Sequence, residues 1–411
     1  MEILTRLDVI KAIQVNWVVI VVTCIQFTIW ALLSLLLAEV LRDSYHALCH
    51  QVSWLAKWHN KHHMAYKRDF SVVSLKAYQD SQLYHDILES GLLVAVVTPL
   101  AFVIHQAGFW LGVVYAWGFL YGASLRYFQG SIETDYTHLP GPLDEVPSVW
   151  LVNRTYHWRH HFDNVNAYYS GVFPLVDKVL GTGLSLQGKT VAITGASGAL
   201  GQALTAELVK HRTKVVALTT RPDQISSIDG IKVLSWQMGD EAALKDSLQK
   251  VDILIINHGI NVYGARTSEA INSSYEVNTF SALRLMDIFM TTITGVSDKA
   301  TKEIWVNTSE AEVSPALSPL YELSKRTLGE IITLKRLDKV CTIRKLILGP
   351  FKSQLNPYGV MSAPFVAKGI LFLAKRDFRN IIVTVNPLTY ILFPIKELST
   401  FLYYRLFSKK R

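Results

Sequence analysis

Between Lys11 and Glu39 the chain runs for 27 residues without a charged side chain, AIQVNWVVIVVTCIQFTIWALLSLLLA. A bilayer core is crossed by ~20 apolar helical residues, so this stretch reads as a membrane span. A second uncharged stretch, 36 residues between Glu89 and Arg126, is too long for one span. Interrupted by HQAG at 105–108, it predicts two short spans folded as a hairpin. Burial in a soluble core is the competing explanation, which 27 consecutive uncharged residues disfavour. A cleaved signal peptide would be shorter. The sequence therefore predicts an integral membrane protein.

Charge is unevenly distributed. Residues 1–185 carry 12 Lys/Arg and 14 Asp/Glu, whereas residues 331–411 carry 15 basic and 3 acidic side chains. A basic carboxyl-terminal segment ending in YYRLFSKKR suits an anionic leaflet. A nucleic-acid partner is not expected, because no recognition motif accompanies the charge. Cys24, Cys49 and Cys341 have no paired spacing, consistent with a reducing compartment. The basic segment KWHNKHHMAYKR, residues 57–68, marks the cytoplasmic side by the positive-inside rule. Three spans would place Met1 on the opposite face.

Histidines crowd the same half. HALCH sets His46 and His50 at i and i+4; HNKHH sets His59, His62 and His63 at i, i+3 and i+4; HWRHH repeats that spacing with His157, His160 and His161. On a helix these offsets share one face, and imidazole is a ligand for iron, zinc or copper. One such cluster is as often a surface feature as a ligand set, but three beside membrane spans predict a two-metal site.

The order HxxxH, HxxHH, HxxHH resembles the fatty acid hydroxylase/sterol desaturase superfamily over roughly 15–182, including the ending YHWRHHFDNVNAYYSGVFPLVDKVLGT. That resemblance implies a helical membrane domain with two iron ions that use O2 and an external electron donor, such as a ferredoxin or cytochrome-type protein, to hydroxylate or desaturate a membrane lipid. It adds His85, followed shortly by Glu89, and His138 as ligands, with the site on the cytoplasmic face. Thr134 stands where the family often has a further histidine. Asp43, Asp135 and Asp163 are candidate acceptors for imidazole N–H groups, and His105 reads as structural.

Composition changes near residue 185. KTVAITG, KVVALTT, IKVLSWQ, VDILIIN and EIWVNTS are β-rich runs separated by helical stretches, the pattern of a parallel sheet covered on both faces. TVAITGASGALGQAL moves from strand to helix through Gly195, Ser197, Gly198 and Gly201, a turn that lets backbone approach a pyrophosphate at a helix N-terminus. YELSK sets Tyr321 and Lys325 at i and i+4, where an ammonium can lower a phenol's pKa. At the end of the second strand, Thr219, Thr220 and Arg221 replace the acidic residue usual for NAD and favour NADP(H), with NAD the alternative. Asp240 is a candidate adenine contact.

With Asn257 and Gly259 in NHG, Asn278 in EVNTF and Ser309, these motifs resemble the short-chain dehydrogenase/reductase family over roughly 187–385. The resemblance implies Tyr321 as proton donor and acceptor, Ser309 as substrate-orienting, Lys325 on the ribose and Asn278 on a relay water. Ser309 lies 12 residues before Tyr321, one fewer than usual.

The predicted architecture is an all-α membrane histidine-box domain at 1–182, a linker at 183–188, a Rossmann-like doubly wound domain at 189–385 and a basic amphipathic tail at 386–411. The predicted function is a bifunctional membrane lipid oxidoreductase, in which di-iron hydroxylation or desaturation is coupled to NADP(H)-dependent alcohol/carbonyl interconversion. The alternatives are an aldehyde-forming, reductase-first enzyme of the wax type, or a non-catalytic scaffold or nucleotide sensor.

Overall fold

The protein is described from a computed structural model, which describes residues 6–225 and 231–409. Met1 and Arg411 lie outside them. The chain forms two compact units: residues through Gly141 with Tyr169–Val176, and Pro142–Tyr168 with everything from Asp177 onward.

The first unit is helical. Helix α1 (Arg6–Gln51) runs unbroken for 46 residues, because it contains neither proline nor glycine. α2 (Ser53–Met64) and α3 (Leu75–Ser81) follow, then a π-helical turn at Gln82–Asp86, α4 (Ile87–Ile104) and α5 (Trp110–Gln129). Among the described residues, three segments are long and apolar enough to cross a membrane: Trp17–Gln51, Leu75–Ile104 and Ala107–Gln129. The hairpin turns at HQAG, where His105 caps α4 in the left-handed conformation with φ 53°.

Close packing on α1 of α5 and of the short turn before it depends on two glycines four residues apart. A Cβ on Gly108 would fall 2.1 Å from the Phe27 carbonyl oxygen, and one on Gly112 would fall 2.6 Å from Ser34 Cβ. Small residues at this spacing let membrane helices approach backbone to backbone. Ala38, Val97, Ala101, Phe109 and Val113 form the apolar core beside them.

The second unit begins with α6 (Arg154–Phe162) and α7 (Leu175–Leu180), then alternates strands and helices. Strands β1 (Thr190–Thr194), β2 (Lys214–Thr219), β3 (Ile231–Ser235), β4 (Ile253–Ile256), β5 (Glu303–Asn307), β6 (Thr342–Leu348) and β7 (Asn380–Val383) form one parallel sheet in the order 3-2-1-4-5-6-7. Its helices are α8 (Ala199–Lys210), α9 (Lys245–Gln249), α10 (Ser268–Tyr275), α11 (Ser281–Thr291), α12 (Val296–Thr301), α13 (Pro319–Lys335), α14 (Ala363–Lys375) and α15 (Thr389–Phe407). One core cluster packs α8 and α14 on one sheet face, and another packs α11 and α13 on the other. This is the doubly wound fold expected from the alternating pattern, with the order reversing beside β1, where ligands of such sheets bind.

β6 is buried along its whole length although it carries two adjacent charges. Successive strand side chains face opposite sides of the sheet. Arg344 meets Glu303 and Asp377 on one face, and Lys345 meets Glu397 of α15 on the other.

Candidate functional site

In the first unit, α1 and α2 turn their histidines toward each other. His46, His50, His59 and His63 each offer a ring nitrogen within 4.8 Å of the others. His63 Nε2 lies 2.9 Å from His59 Nε2 and 3.4 Å from His50 Nε2, and His59 Nδ1 lies 3.0 Å from His85 Nδ1. A proton can bridge one such nitrogen pair at a time, whereas a cation satisfies several lone pairs together. This donor set fits iron, zinc or copper.

The π-helical turn positions His85, in keeping with the tendency of π-bulges to occur at functional sites. His85 gathers with His46 and Glu89, with Cys49 and His59, and with His62 and Asp86. The His62 ring lies 4.8 Å from that of His138. His138 Nδ1 pairs with Asp135 Oδ1 at 2.8 Å, and Asp135 also accepts from the hydroxyls of Tyr66 and Tyr78. Burial pushes the Asp135 carboxyl up, but His138, Arg126 and the Tyr66 hydroxyl hold it below its ordinary value. An ionised acceptor of this kind fixes a histidine tautomer and presents Nε2 as ligand.

Of the three aspartates considered from sequence, only Asp135 meets a histidine through a hydrogen bond described here. Asp43 pairs with Arg42 and Gly171, and Asp163 with Lys189 and Tyr168. His105 is exposed and Thr134 caps a turn through Ser131. Cys49 and Tyr169 are the residues that sequence reasoning missed. Cys49 was read only for redox state, and Tyr169, whose ring lies 5.5 Å from His50 and 6.0 Å from His46, carries no spacing signal.

In the second unit, α6 carries the third histidine cluster. Asn153 caps it by accepting from Tyr156 N at 3.0 Å. His157 and His161 bring their Nε2 atoms to 3.1 Å. His160 Nδ1 donates to the Ala167 carbonyl at 2.8 Å, which leaves Nε2 as its lone-pair nitrogen. Between these histidines, Arg159 points into the nucleotide fold, where it donates to Ala300 O at 2.6 Å and to Glu303 at 3.2 Å.

The nucleotide site is built at the carboxyl ends of β1, β4 and β5. Gly195 has φ 63°, and a Cβ on Gly201 would fall 2.3 Å from the Gly195 carbonyl oxygen, so α8 sits tight against the turn. Gly198 caps α8, and Ser197 Oγ accepts from Thr219 Oγ1 at 2.9 Å. This open turn at the start of a 12-residue helix fits a pyrophosphate. Thr220 and Arg221 are exposed just beyond. Asp240 is exposed too, while its neighbour Glu241 is buried and braced by Ser281 and Arg284.

Thr194 Oγ1 accepts from Asn257 N at 2.9 Å and His258 N at 3.3 Å, shaping the NHG turn. Asn257 Oδ1 accepts from Asn307. Asn278 clamps the same turn, accepting from Ile260 N at 2.8 Å and donating to Ile260 O and Ser324 Oγ. A Cβ on Gly259 would lie 3.0 Å from Asn278 Oδ1, so the clamp needs glycine there.

Tyr321 and Lys325 lie on the first turns of α13. Lys325 Nζ donates to Asn307 O at 2.9 Å and lies 6.0 Å from the Tyr321 ring. Burial raises the phenol above its ordinary value, with only a hydrogen bond to Ser309 lowering it. The depression expected from the lysine is not among the effects that set this phenol; burial decides it. Burial also lowers Lys325 to about 8, against the pull of Glu312. Ser309 and Lys325 thus both lie near Tyr321.

The fatty acid hydroxylase family matches residues 30–182 and an NAD(P)H-binding family matches residues 195–319. The monoglucosyldiacylglycerol epimerase of Synechocystis sp. is 51% identical over 399 residues, covering 92% of this chain and 97% of the relative. Among solved structures, a short-chain dehydrogenase from Burkholderia cenocepacia in complex with NADP is 18% identical, covers 55% of this chain and all of its own, and has a TM-score of 0.45. The aldohexose dehydrogenase of Thermoplasma acidophilum, in ligand-free form, is 17% identical, with 48% and 93% covered and a TM-score of 0.42.

Proposed function

The chain belongs to the family of the monoglucosyldiacylglycerol epimerase, and on that premise we propose that it inverts a carbinol stereocentre in the sugar headgroup of a membrane glycolipid by transient oxidation at Tyr321. The observation that carries this reading is the convergence of Ser309, Tyr321 and Lys325 at one end of the sheet. Arg221 and Thr220, beyond Ser197, select NADP(H), and Lys325 holds the ribose.

NADP+, when bound, supplies the hydride acceptor for the carbinol carbon and the hydride donor for the opposite face of the resulting carbonyl. The chain's own residues manage the proton. Ser309 orients the substrate oxygen by hydrogen bonding. Tyr321 takes the hydroxyl proton as the C–H bond breaks and returns it to the same oxygen when the C–H bond re-forms. Asn278 keeps the NHG turn in place beside them. The cycle is redox-neutral, consuming neither O2 nor NADPH.

A second reading is favoured by the histidine nitrogens gathered within 4.8 Å. Here His46, His50, His59, His62, His63, His85, His138, His157, His160 and His161 are ligands of two iron ions, as the hydroxylase resemblance implies. Iron held there supplies O2 activation for lipid hydroxylation or desaturation, with electrons from an external donor protein. In this reading both sites work at the cytoplasmic face, and Tyr321 then interconverts an alcohol and a carbonyl.

The test uses the reconstituted protein and monoglucosyldiacylglycerol deuterated on its sugar carbons. Epimerisation by hydride return gives a stereoisomeric hexose that keeps its deuterium in ordinary water and forms without O2. Tyr321→Phe should slow it by roughly 10²–10⁴-fold. Turnover that requires O2 and an added electron-donor protein would displace this proposal in favour of the second.

A further inference from the structure

Helix α15 is fixed about its own axis by a buried ion cluster. Glu397 accepts from Lys345 at 2.6 Å, Arg336 at 3.0 Å and Thr333 at 3.1 Å, and Phe393 is buried one turn earlier. That anchoring leaves the opposite side of the helix outward. Ile391, Ile395, Leu398, Leu402 and Leu406 follow a helical spacing, and all are exposed, Ile395 by 63% and Leu406 by 76%. Lys396 is engaged with Glu312, so Arg405 and then Lys409 are the charges this side presents.

The first turn of α15 is joined to the segment that leads to Tyr321. Glu310 accepts from Thr389 at 3.2 Å, and Asn386 donates to Ser314. The tip of that segment is Leu317, which is 94% exposed. Ser318 next to it donates to Asn261 at 2.6 Å, and Asn261 and Tyr263 reach the carbonyls of Leu355 and Gln354. The loop so held projects Tyr358, 92% exposed. Leu317, four residues before Tyr321, and Tyr358 therefore stand exposed on neighbouring loops, and Ser314 links the first of these to Asn386 just before the apolar helix.

We propose that the outward face of α15, with Leu317 and Tyr358, docks on an anionic bilayer surface, so that a lipid presents its headgroup to Tyr321 while its acyl chains stay in the leaflet. A bilayer is the occupant that matches the charge. Arg405 and Lys409 flank the apolar stripe, Lys410 and Arg411 follow them in the sequence, and no acidic residue comes after Glu397. Apolar side chains enter the acyl boundary while flanking cations meet anionic headgroups. Among the described residues, three segments of the same chain are suited to crossing a membrane. Docking rests on the exposed face alone; headgroup delivery rests on the glycolipid reading above.

The full-length protein, reconstituted in vesicles containing phosphatidylglycerol, is tested with a photoreactive benzophenone side chain placed at Leu402, at Tyr358 or, as a control, at exposed Lys232 on β3. Lipid adducts should form at the first two positions and not at Lys232, and should fall several-fold in phosphatidylcholine vesicles or at high salt. Adducts to a second protein copy, or no lipid adducts at Leu402, would overturn docking. The double variant Ile395→Glu/Leu402→Glu should raise KM for bilayer-borne glycolipid several-fold, with kcat and NADPH binding retained. An unchanged KM with adducts still forming would remove headgroup delivery. A wild type that adducts lipid but turns over no glycolipid would instead sink the substrate reading and leave docking standing.

Discussion

Arg159 places Nη2 3.2 Å from Glu303 Oε1 with neither side chain meaningfully exposed, which ties the helix of the third histidine cluster to the first residue of β5. Glu303 also accepts two hydrogen bonds from Arg344, at 2.8 and 2.9 Å, and Arg344 reaches Asp377. The cluster is cation-rich, so its members are unequal. Glu303→Gln leaves buried guanidinium groups facing each other with Asp377 as their remaining carboxylate, a loss of about 3–5 kcal/mol for one partner of a buried pair. Arg159→Met should cost less, because Glu303 keeps Arg344. Denaturant unfolding of the two variants should show that order.

The same cluster sets an acid limit. Burial pushes the Glu303 carboxyl up, but Arg344 and Arg159 outweigh it and hold it at about 2, below its ordinary 4.5. A depressed carboxylate contributes stability that is complete above the unfolded value and is lost as pH falls toward the folded one. The wild type should therefore lose stability between about pH 4.5 and 2, and Glu303→Gln should lack that contribution when unfolding is followed against pH.

Metal content tests the first unit directly. Purified protein should carry transition metal, and His59→Ala should remove most of it, since His59 nitrogens approach both His63 and His85. Asp135→Asn should weaken affinity by roughly 10–100-fold while leaving every ligand in place, the usual effect of losing a histidine-orienting acceptor. Elemental analysis after graded chelation distinguishes the two. Full metal retention in His59→Ala would make the cluster structural.

The histidine clusters were legible because i, i+3 and i+4 spacings put side chains on one helix face whatever the surroundings. The glycine turn was legible for a similar reason: Gly195 and Gly201 answer local demands of one strand–helix junction. The packing of α6 was not, since Arg159 and Glu303 lie 144 residues apart and nothing near Arg159 signals a buried partner. Nor was the burial of β6, where adjacent Arg344 and Lys345 put a charge on each face although both faces are covered. The raised phenol of Tyr321 was hidden too, because Tyr-x-x-x-Lys spacing conveys the lysine's proximity but not the burial that raises the phenol.

Lys325 should give the nucleotide site an alkaline limit. Burial lowers its pKa from 10.5 to about 8, so the ammonium is complete below that value and lost as pH rises through it. NADPH affinity of the ligand-free protein, followed by fluorescence titration, should fall across the same interval. Lys325→Met should bind weakly at every pH, without that inflection. Equal affinity well above and below 8 would mean that the ammonium does not hold the nucleotide.

Arg221 should decide between the two nicotinamide cofactors. It is exposed at the end of β2, its backbone N–H donating to Thr219 Oγ1 at 3.0 Å, and Thr219 in turn reaches Ser197 of the glycine turn. That chain of contacts places the guanidinium's origin next to the turn, while no carboxylate occupies Thr219, Thr220 or Arg221 to accept from a ribose 2′-hydroxyl. A charge-assisted hydrogen bond to a 2′-phosphate contributes roughly 1.5–3 kcal/mol, more than tenfold in affinity. Arg221→Ala should therefore weaken NADPH at least tenfold by this estimate and barely change NADH. Isothermal titration with both nucleotides checks it, and equal losses would show that Arg221 does not read the phosphate.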